Sequence, residues 1–198
     1  MQSKIASPQL ILASGSRYRR QLLERLTPDF SCVPADIDES HQPAETPAQM
    51  AKRLAQAKAE VVASSHPQAI VIGSDQVATV NDQIVGKPAD RSAAYSQLRT
   101  ASGQCMDFHT AVHIASPMSG KALAYLDTTQ VFFRQLDDVV IESYLEKEQA
   151  LDCAGSFKSE GLGIALVERI ETQDPTALIG LPLIWLAESL RSLGIAIP

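Results

Sequence analysis

The chain has 198 residues, of which 45% are hydrophobic and 20% charged, proportions that exclude wholesale disorder. Its formal net charge is −6 and its pI about 5.2, which disfavours a protein that coats nucleic acid through a broad positive surface. The longest apolar run, 177–187, is broken by Gly180 and Pro182 and falls short of the roughly 20 residues that span a bilayer, so no membrane segment is expected.

Residues 1–8 are polar apart from Ile5 and Ala6 and lack the apolar stretch of a secretory signal. Residues 9–13 form a short apolar run ending in Ser14-Gly15-Ser16, which reads as a buried strand entering a loop. Ser16 is placed to cap a helix that continues to about Leu26, before the Thr27-Pro28-Asp29 breaker. A second strand is expected over 30–33 and a polar loop over 36–45. Thr46-Pro47 supplies an N-cap and a proline at the first helical position, opening a helix that runs to about Ser65. Residues 69–72 read as a buried strand that stops at Gly73-Ser74-Asp75. Residues 77–80 and 83–85 flank Asn81-Asp82 as a hairpin. A helix is expected over 91–101, followed by two long strands, 105–115 and 122–134, and a helix over 137–147. After a glycine-rich loop, 163–170 reads as a strand and 183–193 as the closing helix. The alternation of strands and helices points to α/β, and the two hairpins point to a mixed rather than all-parallel sheet.

Three arginines, Arg17, Arg19 and Arg20, fall in the first turn of the first predicted helix. Cations are unfavourable there, because a helix N-terminus already carries partial positive charge. A bound phosphate would compensate them, held by backbone N–H groups, by the hydroxyls of Ser14 and Ser16 and by guanidinium forks. Leu22, Leu23 and Leu26 make the apolar stripe, and Arg19 falls near its middle, so Arg19 should point inward. The alternative is a pair of arginines bound to internal carboxylates. No phosphate loop of the GxxxxGK[ST] type and no GxGxxG fingerprint is present.

Asp36-Ile37-Asp38-Glu39 lies in a loop after a strand, and such oxygen-rich loops suit magnesium or manganese bound together with phosphate oxygens; a solvated acidic loop is the plain alternative. On the 46–65 helix, Met50, Leu54, Ala57 and Val61 are expected to form the buried stripe. Lys58 would flank it and Lys52 would project into solvent. Asp75, taken to lie just beyond a buried strand, stands where α/β proteins place ligands, and could hold a metal or take a proton from water; otherwise it caps a turn. Lys87, leaving the hairpin, is a candidate phosphate contact or an exposed turn lysine. Glu160, in the 154–163 loop, offers an acceptor to the N–H groups of a guanine edge, or belongs to a plain turn. The histidines have no ligand-like spacing, and Cys32, Cys105 and Cys153 never form a CxxC pair, which argues against zinc and for reduced thiols.

These segments occur together in a recognisable order. Leu10 to Ser16, Arg19-Arg20, Asp36 to Glu39, Ala57-Lys58-Ala59, Gly73 to Val77, Gly86-Lys87-Pro88, Ala154 to Gly163 and Gly180 to Leu183 make the chain resemble the Maf (septum-formation-inhibitor-like) nucleotide pyrophosphatase family over nearly its whole length. Gln76 and Phe157 to Gly161 resemble the branch that acts on 7-methyl-GTP. The resemblance implies one domain over 1–198 with a mixed twisted sheet, flanking helices and two lobes about a cleft, similar to inosine-triphosphate pyrophosphatases. It implies a cytoplasmic enzyme that hydrolyses a nucleoside triphosphate between the α and β phosphates, with a divalent cation, magnesium or manganese. In that reading Asp75 is the proton acceptor, Lys58 and Lys87 are catalytic, and Ser14, Ser16, Arg19 and Arg20 bind phosphate. Tyr18, Gln76 and Glu160 set base specificity, and Glu39 with Asp75 holds the metal. A nucleotide is the expected partner, without nucleic acid or membrane, and a homodimer is compatible. The family often has proline where this chain has Arg17, so no family role passes to Arg17. Two other classes compete: a non-catalytic nucleotide-sensing regulator of cell division, and a small module that reads a methylated guanine cap on RNA.

Overall fold

The computed structural model describes residues 8–198; the polar start read over 1–7 lies outside the described residues. Among the described residues seven strands make one sheet. They are β1 (Leu10–Leu12), β2 (Ser31–Cys32), β3 (Ile70–Val80), β4 (Gln83–Val85), β5 (Cys105–Ser116), β6 (Lys121–Phe133) and β7 (Val167–Glu171). The order is β2-β1-β3-β5-β6-β7, with β4 paired to β3. β1 is parallel to both β2 and β3, and every other pairing is antiparallel. The mixed α/β sheet expected from the alternation is therefore what the chain forms. Among the described residues five α-helices accompany it: α1 (Arg17–Glu24), α2 (Pro47–Ser65), α3 (Arg91–Ala101), α4 (Asp138–Lys147) and α5 (Leu183–Ser192).

Local chemistry accounts for the element ends. Ser16 caps α1, its hydroxyl accepting from the Arg19 N–H at 3.4 Å. Thr46 caps α2 reciprocally: its hydroxyl accepts from Gln49 N at 3.2 Å, and its own N–H donates to Gln49 Oε1 at 2.8 Å. Asn81 and Asp82 both adopt positive φ (49° and 60°), the backbone of a two-residue hairpin between β3 and β4.

Three expectations are corrected. β3 does not stop at Gly73-Ser74-Asp75; it is one strand of 11 residues, and the separate 77–80 strand is its second half. β5 pairs with it along Val71–Val80 and holds it extended through the polar positions. The 163–170 strand is a 3-10 turn over Leu162–Leu166 followed by β7, because the Gly163 N–H turns back onto Lys158 O. The buried stripe of α2 is rotated from the expected one. Val61 is exposed and Met50 and Ala57 half-buried, whereas Ala51, Ala55, Ala59 and Ala63 are buried. This alanine seam lets α2 lie directly on β3: a Cβ at Gly73 would stand 2.2 Å from Ala55 O and 2.6 Å from Ala59 N. Small residues, not large apolar ones, mark the contact face, and Lys58 lies within it.

The core divides by sheet face and by end. Leu10, Leu12, Ile70 and Ile72 pack with Leu22, Leu23 and the α5 leucines at one end. Ala78, Val80, Phe108, Leu98, Ile141 and Phe157 form a second cluster at the other end. Between them, β3 changes partner on one edge: β1 covers Ile70–Ile72 and β4 covers Ala78–Val80. Among the described residues no strand pairs with 73–77 on that edge, and the cleft opens there.

Candidate active site

The cleft has a volume of ≈730 Å³. The Ser14–Arg19 segment lies on one side of the strand gap, and Lys87 and the 152–160 loop on the other. Alternation along β3 sends successive side chains to opposite faces. Asp75 therefore faces α2, and Gln76 faces the 177–180 turn.

Asp75 is buried, and Lys58 Nζ donates to its Oδ1 at 2.7 Å. The same ammonium lies 2.7 Å from Glu39 Oε1. Lys58 and Asp75 side chains are about 10% exposed, whereas Glu39 is 58% exposed, so the buried pair reaches solvent through Glu39. Lys58 is the centre of this group rather than a flank of α2. Asp75 Oδ2 carries no hydrogen bond among the described residues, which leaves its lone pairs for water. The loop that carries Glu39 is fastened by Arg53, which donates to both Glu45 oxygens at 2.6 and 2.8 Å and to Ser40 O at 3.0 Å. This clamp holds the Glu45 carboxyl well below the usual range, at about 2. Sequence reasoning missed Arg53 and Glu45, since an eight-residue separation across a helix start has no signature.

Arg19 points inward as its helical position requires. Its Nε donates to Gly180 O at 3.2 Å, and no carboxylate lies within salt-bridge distance among the described residues. Burial pulls the guanidinium down from its ordinary value, opposed by the charges of Asp75 and Glu39. A half-buried guanidinium with only a neutral partner is a seat for an anion. Lys87 is exposed at the cleft rim and has no ion-pair partner among the described residues. Ser14 and Ser16 line the same side, and the Ser16 N–H donates to Ser14 Oγ at 3.1 Å. Arg20, by contrast, is exposed outside the cleft and pairs with Glu24 at 2.9 Å. Its quarter-turn offset from Arg19 carries it around the helix, so the structure does not bring it to the others.

Gln76 is fixed by its amide nitrogen, which donates to Thr110 Oγ1 and to the carbonyls of Ala177 and Leu178 at 2.8–3.2 Å. The turn that supplies these carbonyls also supplies Gly180 O to Arg19 and to Ser74 Oγ. Gly180 is required there: its φ is 130°, and a Cβ would meet Arg19 Cγ at 3.2 Å. Asp174, buried in the preceding loop, anchors the turn. It accepts from Thr176 Oγ1 at 2.6 Å and from the Ile184 N–H at the start of α5 at 2.7 Å. The sequence marked Gly180 to Leu183 as a stretch that carries the resemblance, but assigned the turn no part in the site.

Tyr18 and Glu160 both line the cleft. Glu160 is exposed. Its loop is held from beneath by Glu148, which accepts from Lys158 Nζ at 2.6 Å and from Leu162 N at 2.9 Å. Among the described residues no group of three or more His, Cys, Asp or Glu side chains gathers as a metal cage. Glu39 and Asp75 are two carboxylates lining one cleft. That donor set fits magnesium or manganese, which take one or two carboxylates and complete their shell with phosphate oxygens and water. No helix among the described residues is long and apolar enough to cross a membrane.

Comparison with known proteins shows the family. A "7-methyl-GTP pyrophosphatase" of Xanthomonas axonopodis pv. citri is 53% identical over 191 residues, covering 96% of this chain and 100% of that one. Proteins of the same name from Nitrosococcus oceani and Bordetella avium are 49% and 50% identical, each covering 96% of this chain and 95% of its own. A HAM1 protein structure from Coxiella burnetii superposes with a TM-score of 0.44 at 15% identity, over 64% of this chain and 73% of that one, and says nothing of the site. The sequence profile of the family described as Maf-like protein matches residues 9–193, and the chain belongs to that family.

Proposed function

We propose that this protein hydrolyses a nucleoside triphosphate, 7-methyl-GTP in particular, between the α and β phosphates, releasing the monophosphate and pyrophosphate. One observation carries the reading: a buried aspartate, fixed by a buried lysine, stands beside an inward arginine that lacks a carboxylate partner. The names of the relatives, each about half identical over nearly the whole chain, support the substrate.

In this reading Arg19 and Lys87 meet the phosphate charge, with the hydroxyls of Ser14 and Ser16 beside them. Lys58 orients Asp75 through Oδ1, and Oδ2 takes the proton of the water that attacks the α phosphorus. Glu39 and Asp75 are the residues that would hold a divalent cation, which neutralises phosphate charge. Water supplies the oxygen on the α phosphorus, the α–β anhydride bond breaks, and pyrophosphate leaves. At the base end, Tyr18 offers an aromatic face, and Gln76 and Glu160 offer acceptors. Guanine presents N1–H and a 2-amino group, which a carboxylate accepts together. Thymine and uracil set two carbonyls beside their one ring N–H, which a carboxylate repels.

The test is a hydrolysis panel of 7-methyl-GTP, GTP, dTTP and UTP with magnesium or manganese, with products identified. Pyrophosphate and the monophosphate are expected, with 7-methyl-GTP preferred. Glu160→Gln should lower that preference over dTTP and UTP by about one to two orders of magnitude, the worth of a charged hydrogen bond. Release of single phosphate, or binding without hydrolysis, would overturn the reading, the latter in favour of a nucleotide sensor.

A further inference from the structure

Arg17 turns away from the phosphate end of the cleft. Its Nη2 donates to Asp152 Oδ2 at 2.9 Å and to the Tyr18 hydroxyl at 2.7 Å. Its guanidinium carbon sits 4.7 Å from the Tyr18 ring centroid. The Tyr18 hydroxyl donates in turn to Asp152 at 3.0 Å. Arg17 and Asp152 are 135 residues apart in sequence and approach from opposite sides of the cleft, which both line together with Gln76 and Glu160.

A guanidinium is a flat, delocalised cation with N–H donors at its edge. A purine alkylated at N7 is another. Each is suited to the face of an aromatic ring and to a carboxylate at the ring's edge. We propose that Arg17 is a built-in competitor for the base. It rests on Tyr18 and Asp152 in the place a cationic purine takes, and Asp152 is a specificity-determining residue for cationic over neutral purines. When a methylated purine displaces Arg17, one cation on Asp152 is exchanged for another. When a neutral purine does so, the carboxylate is left without one. The Arg17 and Asp152 side chains are 62% and 44% exposed, so the pair is weak and opens readily. This inference rests on the base-end reading above and names how that end selects. The rival account is that the pair only ties the two sides of the cleft together.

The experiment is equilibrium titration of 7-methyl-GMP and GMP, which are not hydrolysed, in mildly acidic buffer that keeps the methylated base cationic. The proteins are wild type, Asp152→Asn, Arg17→Ala and the double variant, with melting temperatures recorded. Wild type should prefer 7-methyl-GMP, and Asp152→Asn should lower that preference about fivefold. Arg17→Ala should tighten 7-methyl-GMP about threefold, and this gain should vanish in the double variant. No preference in wild type, an unchanged preference in Asp152→Asn, or melting shifts with unchanged affinities would overturn the proposal. Pyrophosphate release from 7-methyl-GTP is measured in parallel. An Asp152-dependent preference without turnover would overturn the hydrolytic reading alone. Turnover with a preference indifferent to Asp152 would overturn only the present one.

Discussion

Asp75→Asn separates catalysis from structure at the centre of the site. The substitution keeps the side-chain shape and an Oδ1 that can still accept from Lys58, but it removes the basic lone pair and the charge. Removing one partner of a fully buried ion pair costs about 3–5 kcal/mol, because the other charge is left alone. Lys58 is not left alone here, since Glu39 stays 2.7 Å from Nζ and opens to solvent. The expected loss of stability is therefore smaller, about 1–2 kcal/mol, or a fall in Tm of about 2–8 °C for a chain of this size. Loss of a general base lowers turnover by about 10²–10⁴, which corresponds to roughly 3–5 kcal/mol of barrier. The kinetic effect should exceed the structural one. Nucleotide affinity should hold within a few-fold, because Arg19 and Lys87 are untouched. The assay is pyrophosphate release at saturating triphosphate, paired with titration of the same nucleotide and a melting curve. A folded variant that keeps more than about a tenth of wild-type turnover would refute the assignment of Asp75 as the base.

Other perturbations address single links of the same chain. Arg19→Ala should raise KM at least tenfold, whereas Lys52→Ala, exposed on the far side of α2, should leave KM within twofold; equal KM values would remove Arg19 from the phosphate seat. Gly73→Ala should destabilise by about 3 kcal/mol in urea unfolding, because the added methyl meets the Ala55 and Ala59 backbone rather than a side chain that can swing away; an unchanged midpoint would show that α2 does not lie on β3 this closely. Burial raises the Cys153 thiol to about 11, so at pH 8 it stays protonated and should be alkylated far more slowly than exposed Cys32; mass spectrometry of brief iodoacetamide labelling checks this, and faster labelling at Cys153 would contradict it.

Much of the fold is legible in the sequence because its signals are local. The Ser16 cap of α1, the Thr46-Pro47 start of α2 and the Asn81-Asp82 turn each act over about four residues, and the structure places them where the sequence does. The inward face of Arg19 follows from the helical period alone. Other features depend on partners remote in sequence. Asp75 lies inside β3 and not beyond its end because β5, about forty positions later, pairs through it. The sequence shows Gly73-Ser74-Asp75 as a break, since it carries no record of a neighbouring strand. Lys58 is drawn into the buried face of α2 because Asp75 waits opposite, and the alanine seam that makes this approach possible reads as weakly hydrophobic until β3 is laid against it. Arg20 has the same chemistry as Arg19 and differs only by a rotation about α1, which the packing of Leu22 and Leu23 converts into solvent exposure. The carbonyls of the 177–180 turn and the Arg17–Asp152 contact have no sequence signature at all: a backbone acceptor is the same atom at every residue, and an ion pair across 135 positions exists only once the chain has closed on itself.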